Sequence, residues 1–243
     1  MLVGIVGRIG SGKDTIADMM NEMSIKDSPV VKLSLCERIF TGLLGRMCVG
    51  KDDVHHVQTG RFKVIKFADK LKDVVCLLVG CTREQMEDRV FKEKPLGGWW
   101  FVYTDAGGNI ISERDYLKLD ACGRSSYTRK DLSIRSLMQV IGTECFRVKV
   151  HPDTWVMLTM DEVKRTNGDV IITDVRFPNE MDIIKANGGI IIKVSRNMGQ
   201  VSNHESELYI DSCDCHDYFI DNNGSIDDLR WKVRKIYDSV KNQ

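Results

Sequence analysis

The most informative segment of the 243-residue chain reads Gly7-Arg8-Ile9-Gly10-Ser11-Gly12-Lys13-Asp14-Thr15. It directly follows an apolar run and opens a helical pattern, which is the strand–loop–helix setting that a P-loop requires. Its glycines let successive backbone N–H groups turn towards phosphate oxygens, and the helix N-terminus adds positive potential. We therefore predict a nucleotide-phosphate site formed by Gly10, Ser11, Gly12, Lys13 and Thr15, with the Lys13 ammonium on the β- and γ-phosphates.

One residue of this segment departs from the P-loop pattern. The residue after the lysine is normally Ser or Thr, whose hydroxyl binds magnesium, but here it is Asp14. A carboxylate could hold magnesium through water or contact the phosphoryl acceptor, and Thr15 or Ser11 could supply the missing hydroxyl. The sequence therefore predicts phosphate binding and leaves the metal ligands open.

Short β-branched runs alternate with helical patterns along the rest of the chain. Strands are predicted at Leu2–Val6, Val64–Phe67, Val170–Thr173, Ile190–Val194 and Tyr218–Ile220, and helices near 13–23, 69–79, 135–148, 153–166, 178–187 and 225–240. The third and fourth strands are almost continuously apolar, as strands covered on both faces must be. This alternation predicts an α/β fold of three layers (α/β/α) with a central parallel sheet of about five strands.

The domain organisation follows from length and from two segments that break the alternation. A chain of this size can bury one large core, so we predict a single domain over residues 1–243. Residues 24–62 precede the second strand and are predicted to be an insertion. Residues 95–134 are predicted to be a lid over the substrate or a peripheral flap, with a hairpin turn at the glycines of 105–109.

Composition excludes several classes of protein. Lys+Arg and Asp+Glu both count 35, which argues against a protein that coats nucleic acid or anionic membrane by bulk charge. The sequence has no run of 18 apolar residues, so no transmembrane helix is predicted. The first residues lack the features of a signal peptide. The eight cysteines form no CxxC pair and fit a reducing cytoplasm. A surface loop is the favoured interpretation of the segment with Cys213, Cys215 and His216. A zinc site formed by these residues with His204 is the weaker alternative, because the sequence has no second pair of residues at zinc-ligand spacing.

Polar residues follow the third predicted strand at its carboxyl end. Asp174 is expected to lie beside the phosphate loop, where an acid orients magnesium or its waters. Arg176 offers two parallel donors to phosphate oxygens. Glu180 lies in the first turn of the next helix, after Pro178, and is either an acid of the acceptor site or only a charge at a helix end.

A second set of candidates lies on the helix predicted near 135–148. Arg135, Gln139 and Gly142 share one helical stripe and suggest a flat ligand that approaches closely, although a solvated face explains them equally well. Trp155 could stack on a base or belong to the core.

A third candidate is the loop that follows the last predicted strand. It contains Asn222 and Gly224, and we expect it to contact adenine or to be a plain turn before a helix whose N-cap is Ser225.

Taken together, these motifs resemble the bacteriophage deoxynucleoside monophosphate kinases, a branch of the P-loop nucleoside monophosphate kinase fold. The resemblance covers the N-terminal quarter and almost everything after residue 135. Its matching segments are Gly7–Thr15, Phe67–Asp73, Arg135-xxx-Gln139-xx-Gly142-Thr143-Glu144, Trp155-Val156, Asp174-x-Arg176-Phe-Pro-Asn-Glu180-Met181-Asp182, Gly188-Gly189, His204–Glu207 and Asp221–Ser225.

The resemblance implies transfer of the γ-phosphoryl group of ATP to a deoxynucleoside 5′-monophosphate, with Mg²⁺, in the host cytoplasm. It implies small-molecule partners, no nucleic acid and no membrane, and leaves open a homodimer. By matching position, Arg135 and Arg176 would clamp the acceptor phosphate, and Gln139 and Trp155 would face the acceptor nucleoside. Asp174 and Glu180 would be metal or acceptor-site acids. The implied catalytic residues are Lys13, Asp14, Arg135, Asp174 and Arg176, and the implied metal ligands are Asp14, Thr15 and Asp174.

Two other functions remain open at this point. One is a P-loop kinase of another phosphorylated metabolite, such as phosphomevalonate, whose enzymes can also carry Gly-Lys-Asp. The other is a nucleotide-binding subunit that has no acceptor and no catalytic activity. Arg135 and Arg176 argue against the second, because such a protein would not need a second anionic pocket.

Overall fold

The computed structural model describes residues 1–27, 62–120, 128–197, 210 and 215–241. The chain forms two compact units, Met1–Phe67 with Val156–Gln243, called here the sheet unit, and Ala68–Trp155, called the middle unit. Most of the predicted insertion at 24–62 lies outside the described residues.

The described residues form the following strands and helices. The strands are β1 (Leu2–Gly7), β2 (Phe62–Ile65), β3 (Phe101–Thr104), β4 (Ile110–Ile111), β5 (Thr128–Asp131), β6 (Asp169–Val175), β7 (Ile190–Ser195) and β8 (Tyr218–Asp221). The α-helices are α1 (Lys13–Lys26), α2 (Asp69–Val79), α3 (Arg83–Glu87), α4 (Arg89–Glu93), α5 (Glu113–Asp120), α6 (Ile134–Gln139), α7 (Thr154–Arg165), α8 (Pro178–Ala186) and α9 (Ile226–Lys241). A π-helix, π1, spans Val140–Val150. Every helix in the described ranges is too short or too polar to cross a lipid bilayer.

The sheet unit is built on five parallel strands in the order β2-β6-β1-β7-β8. This confirms the predicted central parallel sheet. The second strand was predicted at 64–67, but β2 begins and ends two residues earlier, because Phe62 pairs with Asp169 and is fully buried. All carboxyl ends of the strands meet at one edge, which is where ligands of such sheets bind.

Helices cover both faces of this sheet, which confirms the predicted three layers. Side chains of β1 alternate between the faces, with Val3 and Ile5 on one and Leu2 and Val6 on the other. The first face packs against α1 and α9 through buried residues that include Ile16, Met20, Leu229, Val233 and Tyr237. The second packs against α7 and α8 through Val156, Met160, Met181 and Ile184.

A β-bulge interrupts β6 where it passes β1. Gly4 pairs with Ile172, but Val6 pairs with Val175, so β6 has one residue more than β1 in this interval. Ile172 and Val175 consequently lie in the same core cluster although they are three residues apart. Two residues, Thr173 and Asp174, therefore occupy the place of one at the end of β6, and bulges commonly redirect side chains in this way next to active sites.

The middle unit contains a three-stranded antiparallel sheet in the order β4-β3-β5. The predicted hairpin turn joins β3 to β4, and the Asp105 carboxylate closes it by accepting hydrogen bonds from the backbone N–H groups of Gly107 (2.9 Å) and Asn109 (2.8 Å). At the other end of the predicted flap, Leu132 and Ile134 are buried with α2, α3 and α6. That end belongs to the core of the middle unit.

The helix predicted near 135–148 is α-helical only to Gln139, and π1 continues it to Val150. The predicted stripe of Arg135, Gln139 and Gly142 is wrong, because Arg135 and Gln139 are exposed whereas Gly142 is buried. The wider turn of a π-helix, with i→i+5 bonds, changes which side chains align. A Cβ atom on Gly142 would lie 2.7 Å from Leu71 Cδ2. The glycine therefore admits the Leu71 side chain, and this packing replaces the close approach of a ligand as its explanation.

Candidate active site

The loop between β1 and α1 has the conformation that its glycines were expected to permit. Gly10 has φ 79° and Gly12 has φ 99°, both in the left-handed region that favours glycine. Gly12 is also the N-cap of α1, and because it has no side chain it cannot cap the first N–H groups of that helix. Backbone donors at a helix N-terminus suit an anionic ligand.

Lys13 lies across this loop. Its Nζ donates hydrogen bonds to the backbone carbonyls of Gly7 (2.7 Å) and Arg8 (2.8 Å). The ammonium is therefore held at the mouth of the phosphate loop.

The hydroxyl of Ser11 points into the same loop. The residue is 1% exposed, and Oγ has no hydrogen-bond partner among the described residues. A buried hydroxyl without a partner costs free energy, so this hydroxyl needs a partner that the described residues do not supply. Thr15 lies two residues into α1 and is exposed.

Asn222 supports the phosphate loop from outside. Its Nδ2 donates to the backbone carbonyl of Ser11 (2.8 Å), and its backbone N–H donates to the carbonyl of Ser195 (2.8 Å). The amide also lies against Gly12, where a Cβ atom would be 2.5 Å from Nδ2. The side chain is thus already occupied by the loop, and its predicted contact with adenine stays a prediction. Gly224 permits the close approach of Asp228, whose Oδ2 would lie 2.4 Å from an added Cβ.

We expect Asn222→Asp to weaken ATP binding about 10- to 100-fold, because a carboxylate would face the Ser11 carbonyl and leave it without its donor. Titration calorimetry with ATP measures this effect. Asn223→Asp is the matched control, since Asn223 is the exposed neighbour in the same turn. Equal ATP affinity of the two variants would contradict the role of Asn222 in holding the loop.

Asp14, in the first turn of α1, is the centre of a charged network. Its Oδ1 accepts hydrogen bonds from Lys66 Nζ (2.9 Å) and Thr173 Oγ1 (3.1 Å). Burial by itself would raise the pKa of Asp14, but the hydrogen bond and charge of Lys66, the Thr173 hydroxyl and the charge of Lys13 lower this pKa below its ordinary value. Asp14 is therefore a carboxylate at neutral pH.

Asp174 lies at the bulged end of β6, where it was expected. Its Oδ1 accepts a hydrogen bond from the backbone N–H of Phe67 (2.8 Å), which follows β2. The Thr173 hydroxyl binds Asp14, so the bulge brings both the strand end and the phosphate loop into one hydrogen-bonded network.

Glu180 acts at the end of a helix, which is the alternative that the sequence allowed to a role as an acid of the acceptor site. The side chain is 2% exposed, and Oε2 accepts hydrogen bonds from the backbone N–H groups of Arg176 (2.7 Å) and Phe177 (3.1 Å). It therefore caps α8 and fixes the backbone of Arg176, whose side chain is half-buried. Its assignment to the acceptor site stays a prediction.

The other three candidate site residues lie in the middle unit; they are Arg135, Gln139 and Trp155. Arg135 Nε donates to the Glu93 carboxylate on α4, and both side chains are about half exposed. Gln139 is exposed at the end of α6. Trp155 is 3% exposed, packs on Phe146 and donates its Nε1–H to the Gly142 carbonyl (2.9 Å), so it is a core residue of this unit.

Metal binding by cysteine and histidine finds no support where the chain is described. Cys213 and His204 lie outside the described residues, and the His216 ring lies next to Phe219. Across the described ranges, no three His, Cys, Asp or Glu side chains form a group that could hold a metal ion.

Sequence reasoning missed Lys66 and Thr173. A signal for Lys66 was present, because it lies near the carboxyl end of the strand predicted at 64–67, and this end of a parallel sheet is where the phosphate loop also lies. Nothing in the sequence signals the bulge that presents Thr173 to Asp14.

Comparison with known proteins gives a consistent result. A family profile described as deoxynucleotide monophosphate kinase matches residues 1–233. The deoxynucleoside-5′-monophosphate kinase of Escherichia phage T5 is 26% identical over 212 residues, which cover 76% of this chain and 72% of that protein. A protein of Acanthamoeba polyphaga mimivirus is 26% identical over 241 residues, 99% of this chain and 97% of its own length. The solved dephospho-CoA kinase from Campylobacter jejuni has a TM-score of 0.41 at 12% identity, covering 98% of this chain and 96% of that one, a likeness too low to carry an argument.

Proposed function

This chain belongs to the deoxynucleotide monophosphate kinase family, and we propose that the γ-phosphoryl group of ATP is what it transfers to deoxynucleoside 5′-monophosphates. The products are ADP and the deoxynucleoside diphosphate. The proposed site of action is the cytoplasm of a host cell, which agrees with the free thiols of Cys76, Cys81, Cys145 and Cys215.

The choice of ATP as the phosphoryl donor rests on the structure of the phosphate loop. Left-handed Gly10 and Gly12, the uncapped start of α1 and the buried Ser11 hydroxyl together provide several donors for a chain of phosphates. The Lys13 ammonium donates hydrogen bonds to two loop carbonyls, which places its positive charge at the loop proposed to hold the phosphates. These features support Gly10, Ser11, Gly12, Lys13 and Thr15 as the residues that bind the ATP phosphates.

Arg176 and Arg135 are the proposed clamps of the acceptor phosphate. The backbone of Arg176 is held by Glu180, and no described residue pairs with its guanidinium. Arg135 is paired with Glu93, whose carboxylate presents the same kind of acceptor oxygens as a phosphate. A phosphate could therefore take the place of Glu93 without a change in the chemistry of the contact. Gln139 remains the proposed contact to the nucleoside.

Mg²⁺ is the cofactor that such a kinase implies, and the residues present fit it. Magnesium prefers oxygen ligands and usually takes one or two carboxylates together with phosphates and waters. Oδ1 of Asp14 accepts from Lys66 and Thr173, and no hydrogen bond to Oδ2 is found within the described residues. Asp14, with Asp174 and the Thr15 hydroxyl, would hold the ion, which would neutralise negative charge on the ATP phosphates.

The protein contributes to this reaction by aligning the two phosphate groups and by neutralising their charge. An oxygen of the acceptor phosphate forms a bond to the γ-phosphorus as the bond to the β–γ bridging oxygen breaks, and the transition state is loose and anionic. Lys13 and the loop N–H groups stabilise the negative charge on the donor side, and Arg176 and Arg135 on the acceptor side. No general base is needed, because the acceptor phosphate is already ionised.

An ADP-release assay tests this proposal. We expect turnover with ATP, Mg²⁺ and at least one deoxynucleoside monophosphate, none after EDTA, and none with phosphomevalonate. Assaying each monophosphate in its deoxy and ribo forms identifies the accepted bases and the treatment of the 2′-hydroxyl. Turnover of phosphomevalonate alone, or ATP binding without transfer to any acceptor, would overturn the proposal in favour of one of the two alternatives.

A further inference from the structure

Lys66 lies outside the phosphate loop and contacts its Asp14 from a different strand end. Lys66 directly follows β2, and its Nζ lies 2.9 Å from Asp14 Oδ1. The Lys66 side chain is 30% exposed, whereas that of Asp14 is 71% exposed. A partly buried ammonium therefore accompanies a carboxylate that remains open to solvent.

Both donors to Asp14 use the same oxygen. Thr173 Oγ1 donates to Oδ1 at 3.1 Å, beside Lys66 on that atom. These two contacts come from different strand ends, β6 and β2, and hold the carboxylate in one orientation. Oδ2 is then the oxygen that remains for a ligand.

The charge of Lys66 has a second consequence. A divalent cation that binds Oδ2 of Asp14 without a nucleotide is repelled by the ammonium that already contacts Oδ1 of the same carboxylate. Lys13 adds a second positive charge near Asp14. When ATP phosphates are present, their negative charge outweighs both cations, so the site then favours a metal ion.

We propose that Lys66 is a positioning residue that orients Asp14 and prevents it from holding a divalent cation before the nucleotide is bound. Asp14 would then hold magnesium only when ATP is bound. The inference rests on the proposed function only for the identity of the nucleotide, because the contact of Lys66 with Asp14 is independent of the acceptor.

Metal binding without nucleotide is the direct test. We expect Lys66→Met to bind Mn²⁺ about 10- to 100-fold more tightly than the wild type in titrations without nucleotide, because the ammonium that repels the metal is lost. Lys66→Arg should keep the weak binding of the wild type. The double variant Lys66→Met/Asp14→Asn should lose the gained affinity, which assigns the metal to Asp14.

Lys63→Met is the matched control. Lys63 lies on β2, three residues before Lys66, and pairs with Glu162 (2.9 Å) instead of Asp14, so this variant should bind Mn²⁺ as the wild type does. Unchanged Mn²⁺ affinity in a folded Lys66→Met protein would overturn the proposal. Because this titration needs no turnover, its result is separate from the kinase assay, in which the absence of any deoxynucleotide turnover would instead overturn the proposed function.

Discussion

Lys13→Ala should lower kcat/KM for ATP roughly 100- to 1,000-fold, since it removes the ammonium at the mouth of the phosphate loop. The side chain supplies a positive charge whose benefit is greatest in the transition state, when charge on the transferring phosphoryl group is redistributed. Initial rates at varied ATP, with the deoxynucleotide saturating, measure the loss.

The structure also identifies a confounding effect in this experiment. Lys13 Nζ binds the carbonyls of Gly7 and Arg8, so its removal takes two hydrogen bonds from the loop as well as a charge from the phosphates. Thermal unfolding of the variant separates the two effects, because a loss of loop structure alone would appear as a lower Tm. Lys26→Ala is the matched control, as Lys26 is exposed in the last turn of the same helix. Activity of Lys13→Ala within about threefold of the control would exclude Lys13 from the reaction.

Arg176→Ala should raise the KM for the deoxynucleoside monophosphate roughly 10- to 100-fold and leave the KM for ATP nearly unchanged. This range corresponds to the loss of a charged hydrogen bond to phosphate. Arg176→Lys should recover only part of the loss, because an ammonium keeps the charge but not the two parallel donors of a guanidinium. Initial rates with each substrate varied in turn distinguish the two KM values.

Arg165→Ala provides the control for this series. Arg165 is 80% exposed on α7 and pairs with Asp161 one helical turn away, so its removal should leave both KM values as in the wild type. Near-normal kinetics of Arg176→Ala would show that the acceptor phosphate binds elsewhere. An equal rise in both KM values would show instead that Arg176 supports the fold of the site.

The local features of this site were predictable because short-range sterics and periodicity encode them. The loop glycines, the apolar strands and the Pro178–Glu180 helix start each depend on neighbouring residues, and each was found where the sequence indicated. The same patterns predicted helices on both faces of a parallel sheet, since nearly continuous apolar strands must be covered twice.

The choice between alternatives at single residues required the tertiary structure. Glu180 could be an acid of the acceptor site or only a charge at a helix end, and its two backbone hydrogen bonds show that it caps α8. Trp155 could stack on a base or lie in the core, and its burial against Phe146 places it in the core. In both cases the residue type allowed either role, and only its neighbours in space distinguish them.

The contacts that hold Asp14 and the phosphate loop are the features that a sequence pattern predicts least. Asn222 reaches Ser11 across 211 residues, and Thr173 reaches Asp14 across 159. These contacts depend on the order of the strands and on a one-residue bulge in β6. The amino-acid pattern specifies that a phosphate loop forms and where the strands end. Strand order and register arise only when the whole sheet packs. They decide that Lys66, Thr173 and Asn222 are the residues that hold Asp14 and the phosphate loop in place.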